Sequence, residues 1–492
     1  MERNHRRPDT TLISGHDPHR PLDLLLLNAP LRDYATRPRV NDFTLPVLGM
    51  GYIATYAAQV GGFNVGVLDA EAQGLPITDT IQTVNAAAPR WVGMNLLAPT
   101  YEISATIADG LDPSIKIMLG GHQAKAMPTQ ILTDPRMRRC EALVIGEGET
   151  RTVELLADHR NRGDLPGVMW LDPILKKPVT GGRPGQGHHL APPINDLPFV
   201  DRTFLTQDPH FDAGRWEANM VGARGCPYDC SFCGAAVSAN PDVTIRVRSA
   251  PNVVAEMEHL RNTLNVSAFR FVDDLFLGAR RVIKTMMDGF TTHRVGNWAV
   301  WDATGRINVL ARESDKTLEQ LLDNGLREVA LGIESGSERM LAHIDKRITQ
   351  DMIRSTVTRL VQRGISVKGY FILGFPGETR AEMRQTVDLV HELWDLTDHA
   401  PGRFRSSVFE FRPYPGTPEW ARLMATGHYT SDQLLNYTAV DLTDQGVDEA
   451  MRGRDEFNFS SNIQFGQASV EEVRAALVEL SHGEHKRREV SA

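Results

Sequence analysis

Arg224–Ala236 reads RGCPYDCSFCGAA and sets Cys226, Cys230 and Cys233 in one loop of a 492-residue chain that has 4 cysteines in all. Three thiolates cannot complete a four-coordinate structural zinc site, and no histidine stands at a short ligand spacing beside them. An iron–sulfur cluster held by three cysteines would keep one iron open to an outside ligand. With only Cys140 beyond the loop, the cysteine count argues against a disulfide framework and for a reducing cytoplasm. Cys140 itself reads as a small buried residue of an N-terminal sheet.

From just before the loop onward the chain alternates. Strand-like runs NMVGARG, FRFVDD, NWAVWDA, EVALGIES, VKGYFILGF and SSVFEFRPY recur between Asn219 and Tyr414, with helical patterns between them. In PNVVAEMEHLRNTL, Val253, Val254, Met257, Leu260 and Leu264 fall on one face, and Pro251 stands near the helix start. Six βα units in succession predict a partial (β/α)6 barrel over residues 206–428, with chemistry at the carboxyl ends of its strands. The cysteine loop follows the first strand of that series. Beyond residue 428, ASVEEVRAALVEL predicts a capped amphipathic helix in a C-terminal helical extension, 429–492. FNFSSNIQF in this extension is placed, by position, as a cover for the barrel mouth.

Upstream, LDLLLLN, FNVGVLD, WVGMN, IKIMLGG and ALVIGEG alternate with helical patterns. This rhythm predicts an α/β, doubly wound, Rossmann-like domain over residues 21–160. The helical pattern LGMGYIATYAAQVGG stops on Gly61 and Gly62. Ligands of such sheets bind outside the carboxyl ends of the strands, which here carry Asn28 to Pro30, Ala98 and Thr100, Gly120, Gly121 and His122, and Gly146 and Glu147. Residues 161–205 are rich in Gly and Pro and read as a linker with a small hairpin in GVMWLDPILKKPV. Residues 1–20 are basic and polar with no apolar run after them, the pattern of a flexible leader and not of a signal peptide.

Composition narrows the partners. Lys+Arg 53 against Asp+Glu 62 gives a net charge of −9, without a single-sign block, which argues against nucleic acid. The run Leu24–Leu27 is far too short to cross a bilayer. A small-molecule substrate or a protein is the partner these features leave.

The spacing Cys226-x-x-x-Cys230-x-x-Cys233 resembles the signature of the radical S-adenosylmethionine (SAM) superfamily. The resemblance implies a [4Fe–4S] cluster whose open iron chelates SAM. Reductive cleavage then gives a 5′-deoxyadenosyl radical, with electrons from a flavodoxin- or ferredoxin-type reductant. Later strand ends match family motifs as well. FRFVDDLF puts Asp273 and Asp274 where the family contacts the methionine amino group, although many members carry Gly-Gly-Glu there. LGIESGSE offers Glu334 and Ser335 at the ribose-facing position. GYFILGFPGET resembles the adenine-contact motif through Gly374, Pro376 and Glu378, and FRPYPGTP resembles the sixth strand end. Phe232 reads either as core filling or as an aromatic wall beside the adenine, and the family pattern favours the second.

The N-terminal half is similar to the cobalamin-binding domain that precedes the radical domain in one branch of the superfamily. LLLLNAP, WVGMNLLAPTYE, MLGGHQA and VIGEGET carry that likeness. Together the two resemblances cover roughly residues 21–428. Glycines 120, 121, 146 and 148 would let backbone approach a flat corrin, or they serve the fold alone. The Asp-x-His-x-x-Gly motif that ligates cobalt in methionine-synthase-like domains does not occur. Asp208-Pro-His210 lacks its glycine, and His122 reads as a polar loop residue.

The resemblance implies a class B-like, cobalamin-dependent methyltransferase acting on an unactivated carbon, or phosphorus, of a small biosynthetic intermediate. A radical dehydratase, epimerase or rearrangement enzyme on an aminosugar or polyol is the second reading, and a cobalamin or cluster sensor the third. The second would need a carboxylate near the substrate, for which Glu410 and Asp302 are candidates. In NWAVWDATGRINVL, Trp298 and Trp301 read as structural, while Arg306 could reach an anionic group of SAM or substrate.

Overall fold

The computed structural model describes residues 12–36, 44–183, 190–240, 245–439 and 459–490. The chain divides into two compact units, Met1–Asp208 with Pro241–Thr244, and Pro209–Asn240 with Ile245–Ala492.

The first unit holds a seven-stranded sheet built from β1 (Leu24–Asn28), β2 (Val65–Asp69), β3 (Trp91–Asn95), β4 (Lys116–Gly120), β5 (Cys140–Val144), β6 (Val168–Leu171) and β7 (Pro178–Thr180). Its order is β2-β1-β3-β4-β5-β6-β7. The strands β1 to β5 pair in parallel, and β6 and β7 join antiparallel. The run Leu24–Leu27 is buried throughout because its residues alternate between two cores. Leu24 and Leu26 pack with Met50, Ala54 and Leu155 on one face, and Leu25 and Leu27 with Val84, Ile107 and Ile131 on the other. The strand order reverses between β1 and β3, so the crevice outside their carboxyl ends is where this fold takes ligands.

The stretches read as leader and linker are partly built into this unit. Ser14 exchanges backbone hydrogen bonds of 2.8 and 3.0 Å with Val67 of β2, and the Asn64 side chain donates to the carbonyls of Asp17, Arg20 and Pro21. Residues 12–20 are therefore an ordered edge of the sheet, and residues 1–11 lie outside the described residues. The hairpin expected in GVMWLDPILKKPV is β6 and β7. The expectation of a free leader over residues 1–20 therefore fails for residues 12–20.

The second unit holds β8 (His210–Asp212), β9 (Arg215–Met220), β10 (Ala223–Arg224), β11 (Arg246–Val247), β12 (Val266–Phe271), β13 (Val300–Gly305), β14 (Leu326–Glu334), β15 (Ser366–Leu373) and β16 (Phe404–Glu410). A seven-stranded sheet runs β16-β15-β14-β13-β12-β9-β8. From β9 to β16 its neighbours are parallel, and its two edge strands are not joined to each other, which makes it a partial barrel. All six expected strands are present. Missed in the sequence was β8, which forms a hairpin with β9 across Ala213 (φ 46°) and Gly214 (φ 77°). Left-handed conformation at both central positions is what a tight two-residue hairpin requires.

Alternation sorts the strand residues. Phe269 and Phe271, Trp301 and Ala303, and Val367 and Phe371 pack into one core with the covering helices. Arg270, Asp302 and Lys368, one position away, lie on the other face. There Arg327 Nη2 reaches Glu217 Oε2 at 2.6 Å and pairs with Asp302, and Arg405 grips Glu328 with bonds of 2.7 and 2.6 Å. The helix Ala250–Leu264 is capped by Ser249 at its start and by left-handed Asn265 at its end. Val253, Val254, Met257 and Leu260 are buried as expected, but Leu264, the last residue of the helix, is 39% exposed.

The C-terminal helix, Val470–Val490, is longer than the sequence pattern, and Ser469 and Glu472 close its capping box. It packs on β16, where buried Glu484 accepts from Ser406 N (2.9 Å) and Trp394 Nε1 (3.2 Å). Glu484→Leu strands both donors and is expected to cost about 2–3 kcal/mol, read by denaturant unfolding. No helix among the described residues is long and apolar enough to cross a membrane. Two further short strands, β17 (Thr438–Ala439) and β18 (Phe459–Ser460), pair antiparallel.

Candidate functional site

The cysteine loop leaves β9 through the short β10–β11 ladder and is braced by its own backbone. Cys233 N donates to Cys230 O at 3.0 Å, Ala236 N to Cys233 O at 3.1 Å and Val237 N to Tyr228 O at 3.0 Å. Ser231 ties it to the rest of the unit, donating from N to Ile344 O (3.1 Å) and accepting at O from Glu419 N (2.9 Å). Cys230 is buried, and Cys226 and Cys233 are half-buried. Burial pushes the Cys226 thiol up and that of Cys233 to about 12. Among the described residues, no three His, Cys, Asp or Glu side chains are set to hold a single metal ion.

The carboxyl ends of the strands β9 and β12 to β16 carry the other expected residues. After β12, Asp273 Oδ1 accepts from Gly222 N at 2.8 Å and also from Ala223 N, which fixes the backbone just before the cysteine loop. Its Oδ2 is buried without a hydrogen-bond partner. Burial lifts the Asp273 carboxyl to about 7. Asp274 is exposed, close enough to Cys226 to raise its thiol further.

At the end of β14, Glu334 stands at φ 69°, just past a register shift, and its Oε1 accepts from Lys346 Nζ at 2.6 Å. A non-glycine residue held there stores about 1–3 kcal/mol of strain, a pattern found where function fixes the backbone. Ser335 is buried against Thr386, with their hydroxyl oxygens 3.2 Å apart. After β15, Gly374 (φ 83°) and Gly377 (φ 72°) let the chain fold back so that Gly374 N donates to Glu378 Oε2 at 2.7 Å. Glu378 Oε1 is buried without a partner, and burial lifts this carboxyl to about 7.

Phe232 points from the cysteine loop into an aromatic row, with ring centroids 5.5 Å to Phe375, then 5.3 Å to Phe411 and 5.3 Å to Phe465. It is only partly buried, so the same ring both packs a core and presents an edge. The cover read in FNFSSNIQF is in place from Phe459 onward. Gly377 N donates to Phe465 O (3.2 Å) and Gln467 N to Glu378 O (2.7 Å), and the Ser460 hydroxyl reaches Glu410 Oε1. Phe457 and Asn458 lie outside the described residues. Of the two candidate carboxylates, Asp302 is gripped by Arg327, and Glu410 keeps a buried Oε2 with no hydrogen bond.

Two residues were under-read in the sequence. Arg306, immediately after β13, stacks its guanidinium 3.6 Å from the Tyr228 ring centroid inside the cysteine loop and donates to Cys230 Sγ at 3.4 Å. Lys346, which comes from a loop after a helix and not from a strand end, carried no sequence signal.

In the first unit, the strand-end residues gather at one edge. Asn28 donates to Asp69 at 2.8 Å across β1 and β2. Ala98–Thr100 forms a short turn after β3 with Thr100 buried. Gly121 has φ 95°, and a Cβ there would lie 2.1 Å from Asn95 Oδ1, so the fold itself requires this glycine. Gly120 differs: its added Cβ would meet nothing nearer than Val144 O at 3.8 Å. The fold does not need glycine at 120, and the strand end is left bare, as close approach of a flat ligand requires. Gly146 has φ 89°, and Glu147 O accepts from Arg151 Nη1 at 2.7 Å. His122 begins the helix His122–Ala126. Cys140 packs against the core, where burial pushes its thiol to about 12.

Family models match in both units: the Radical SAM superfamily over residues 220–390 and the B12 binding domain over residues 40–156. The chain thus carries a radical SAM domain preceded by a B12-binding domain. Its B12-binding and radical SAM domains stand in the order expected from the sequence. The chain is 27% identical over 426 residues to a protein named as an uncharacterized methyltransferase of Pyrococcus horikoshii, covering 85% of this chain and 86% of that one. Identity is 24% over 403 residues to the cytidylyl-2-hydroxyethylphosphonate methyltransferase of Streptomyces wedmorensis, covering 70% and 73%. The fold resembles the radical SAM methyltransferase TsrM of Kitasatospora setae, solved with cobalamin and a [4Fe-4S] cluster bound, at TM-score 0.62 and 18% identity over 85% of this chain and 81% of that one.

Asp273 and Glu378 give a pH signature. Each has a folded-state pKa of about 7, above the usual carboxylate range. The folded protein therefore binds more protons than the unfolded chain between about pH 4.5 and 7, and stability falls as pH rises through that window. With both groups titrating, the slope reaches about 2.7 kcal/mol per pH unit. Denaturant titrations of the metal-free protein at several pH values measure it, and Asp273→Asn halves it.

Proposed function

We propose that this chain is a cobalamin-dependent radical SAM methyltransferase acting on an unactivated carbon, or phosphorus, of a small biosynthetic intermediate. The observation that carries the reading is the set of buried polar atoms without partners at the strand ends beside the three thiols. Asp273 Oδ2, Glu378 Oε1 and Arg306 Nε are all buried and all lack a hydrogen bond. A polar ligand the size of SAM would satisfy them, because a buried unpaired polar atom costs about 1–3 kcal/mol until it is matched. When bound, the cluster and SAM supply a carbon radical from a reductively cleaved sulfonium, and cobalamin supplies a methyl carrier.

The chain's own residues position and enclose. Cys226, Cys230 and Cys233 hold the cluster. Asp273 and Asp274 receive the ammonium of SAM, Glu334 and Ser335 the ribose, and Gly374 and Glu378 the adenine beside Phe232. Residues 459–467 cover the turns after β15 and β16 and limit water there. Ala98, Thr100, Gly120, Gly121, Gly146 and Glu147 line the cobalamin edge. No Asp-x-His-x-x-Gly motif supplies a histidine to cobalt. The four free thiols fit a reducing cytoplasm and a protein reductant.

Analysis of the products of SAM tests this. Anaerobically reconstituted protein with cobalamin, SAM and a low-potential reductant is expected to form both S-adenosylhomocysteine, left when the methyl departs, and 5′-deoxyadenosine. 5′-Deoxyadenosine alone would move the enzyme to radical dehydration or rearrangement. Neither product would leave a sensor or carrier.

A further inference from the structure

Besides its unpaired Nε, Arg306 makes three contacts through the rest of its guanidinium. Its Nη1 donates to Cys230 Sγ at 3.4 Å, its Nη2 donates to Lys346 O at 2.6 Å, and its plane lies 3.6 Å from the Tyr228 ring centroid. The side chain is 6% exposed, and no carboxylate pairs with it among the described residues. The other buried cation near the loop, Lys346, is neutralised by Glu334 at 2.6 Å. Arg306 is thus a buried positive charge with no salt bridge among the described residues, Asp345 being near enough only to feel its charge, and it is pressed against the most buried of the three cysteines.

A guanidinium cannot shed its proton in a protein, so this charge is permanent. Burying it without a carboxylate is costly unless an anion stands beside it. A cluster with three thiolates is that anion, and reduction adds another negative charge to it. Hydrogen bonds to the sulfurs and nearby charge set cluster potentials. The stack on Tyr228, between Cys226 and Cys230, holds the guanidinium in register with the loop.

We propose that Arg306 is a positioning residue that raises the reduction potential of the cluster by a charge-assisted hydrogen bond to Cys230 Sγ. It thereby brings the electron needed for SAM cleavage within reach of the reductant. The proposal rests on the cluster reading above. Reduction adds one electron and no bond changes at Arg306.

The test uses full-length protein, reconstituted without oxygen and without SAM, as wild type, Arg306→Gln and Arg306→Lys. Iron and sulfide are counted per chain, and the reduced cluster is titrated against potential by electron paramagnetic resonance. Arg306→Gln is expected to keep its cluster but show at least a tenfold lower ratio of reduced to oxidised cluster at fixed potential, a shift of about 59 mV for one electron. Arg306→Lys, which keeps the charge, falls between the two. A full cluster at the wild-type potential in Arg306→Gln would overturn the proposal. So would loss of iron from both variants, which would make Arg306 a scaffold of the loop. A wild type that holds no cluster would instead remove the underlying reading, and the iron count separates that failure from the others.

Discussion

Cys226→Ala, Cys230→Ala and Cys233→Ala proteins are each expected to emerge from reconstitution without the visible band of the iron–sulfur cluster, and to form 5′-deoxyadenosine only at background. The expectation follows from the count: with Cys140 half-buried in the other unit's sheet, no spare thiol can replace a lost ligand. The fold should survive, because the backbone bonds that tie the loop through Ser231 and Ala236 do not depend on the sulfurs, and Cys230 Sγ adds only its contacts with Arg306 and Asp345 O. Circular dichroism and thermal unfolding of the metal-free variants check that half of the statement. Iron content and product analysis check the other. Reductive SAM cleavage persisting in any of the three would require a different ligand set.

Gly120→Leu is expected to abolish cobalamin retention while leaving the cluster and the fold in place. The argument is steric. A Cβ at 120 has open space, with Val144 O at 3.8 Å as its nearest neighbour, so a larger side chain stands outward at the end of β4 without straining the sheet. It then occupies the surface that a corrin must approach. Affinity should fall roughly tenfold or more, equivalent to at least about 1.4 kcal/mol, in a titration with hydroxocobalamin. Gly121→Ala is the contrasting control. There φ 95° and the contact with Asn95 oppose any side chain, so the loss appears in stability as well as in binding.

Much of the fold was legible because each strand carries its own pattern. Leu24–Leu27 is apolar on both faces, as a sheet covered on both sides demands, and the strands of the second unit alternate as a one-sided core demands. Short local features were harder. The edge hairpin at Ala213 and Gly214 carried only an Asp-Ala-Gly signal, and residues 12–20 were read as free because their apolar content is the pair Leu12 and Ile13, too short to show a period, although Ile13 is buried in the core beside β2. Leu264 shared the helical period yet is exposed at the last position of its helix, since period fixes the face of a helix but not how far along it the burial runs.

The site was legible where it sits on strand ends and obscure where it depends on long-range placement. Asp273, Glu334 and Glu378 stand after consecutive strands, so motif and topology coincide. Nothing in the sequence, however, told that Asp273 would spend one oxygen on Gly222 and Ala223 and keep the other unpaired. Lys346 reaches Glu334 from a loop between left-handed Asp345 and Arg347, and Arg306 reaches Cys230 across 76 positions of chain. Such pairs become visible only once the chain is folded.

Purified protein reconstituted without oxygen, incubated with hydroxocobalamin, desalted and read by its visible spectrum puts the central claim to its most direct test. About one cobalamin retained per chain, beside an intact iron–sulfur band, is the result expected of a methyltransferase that uses both units. An intact iron–sulfur band with no retained cobalamin would contradict it and leave the first unit as a scaffold for radical dehydration or rearrangement.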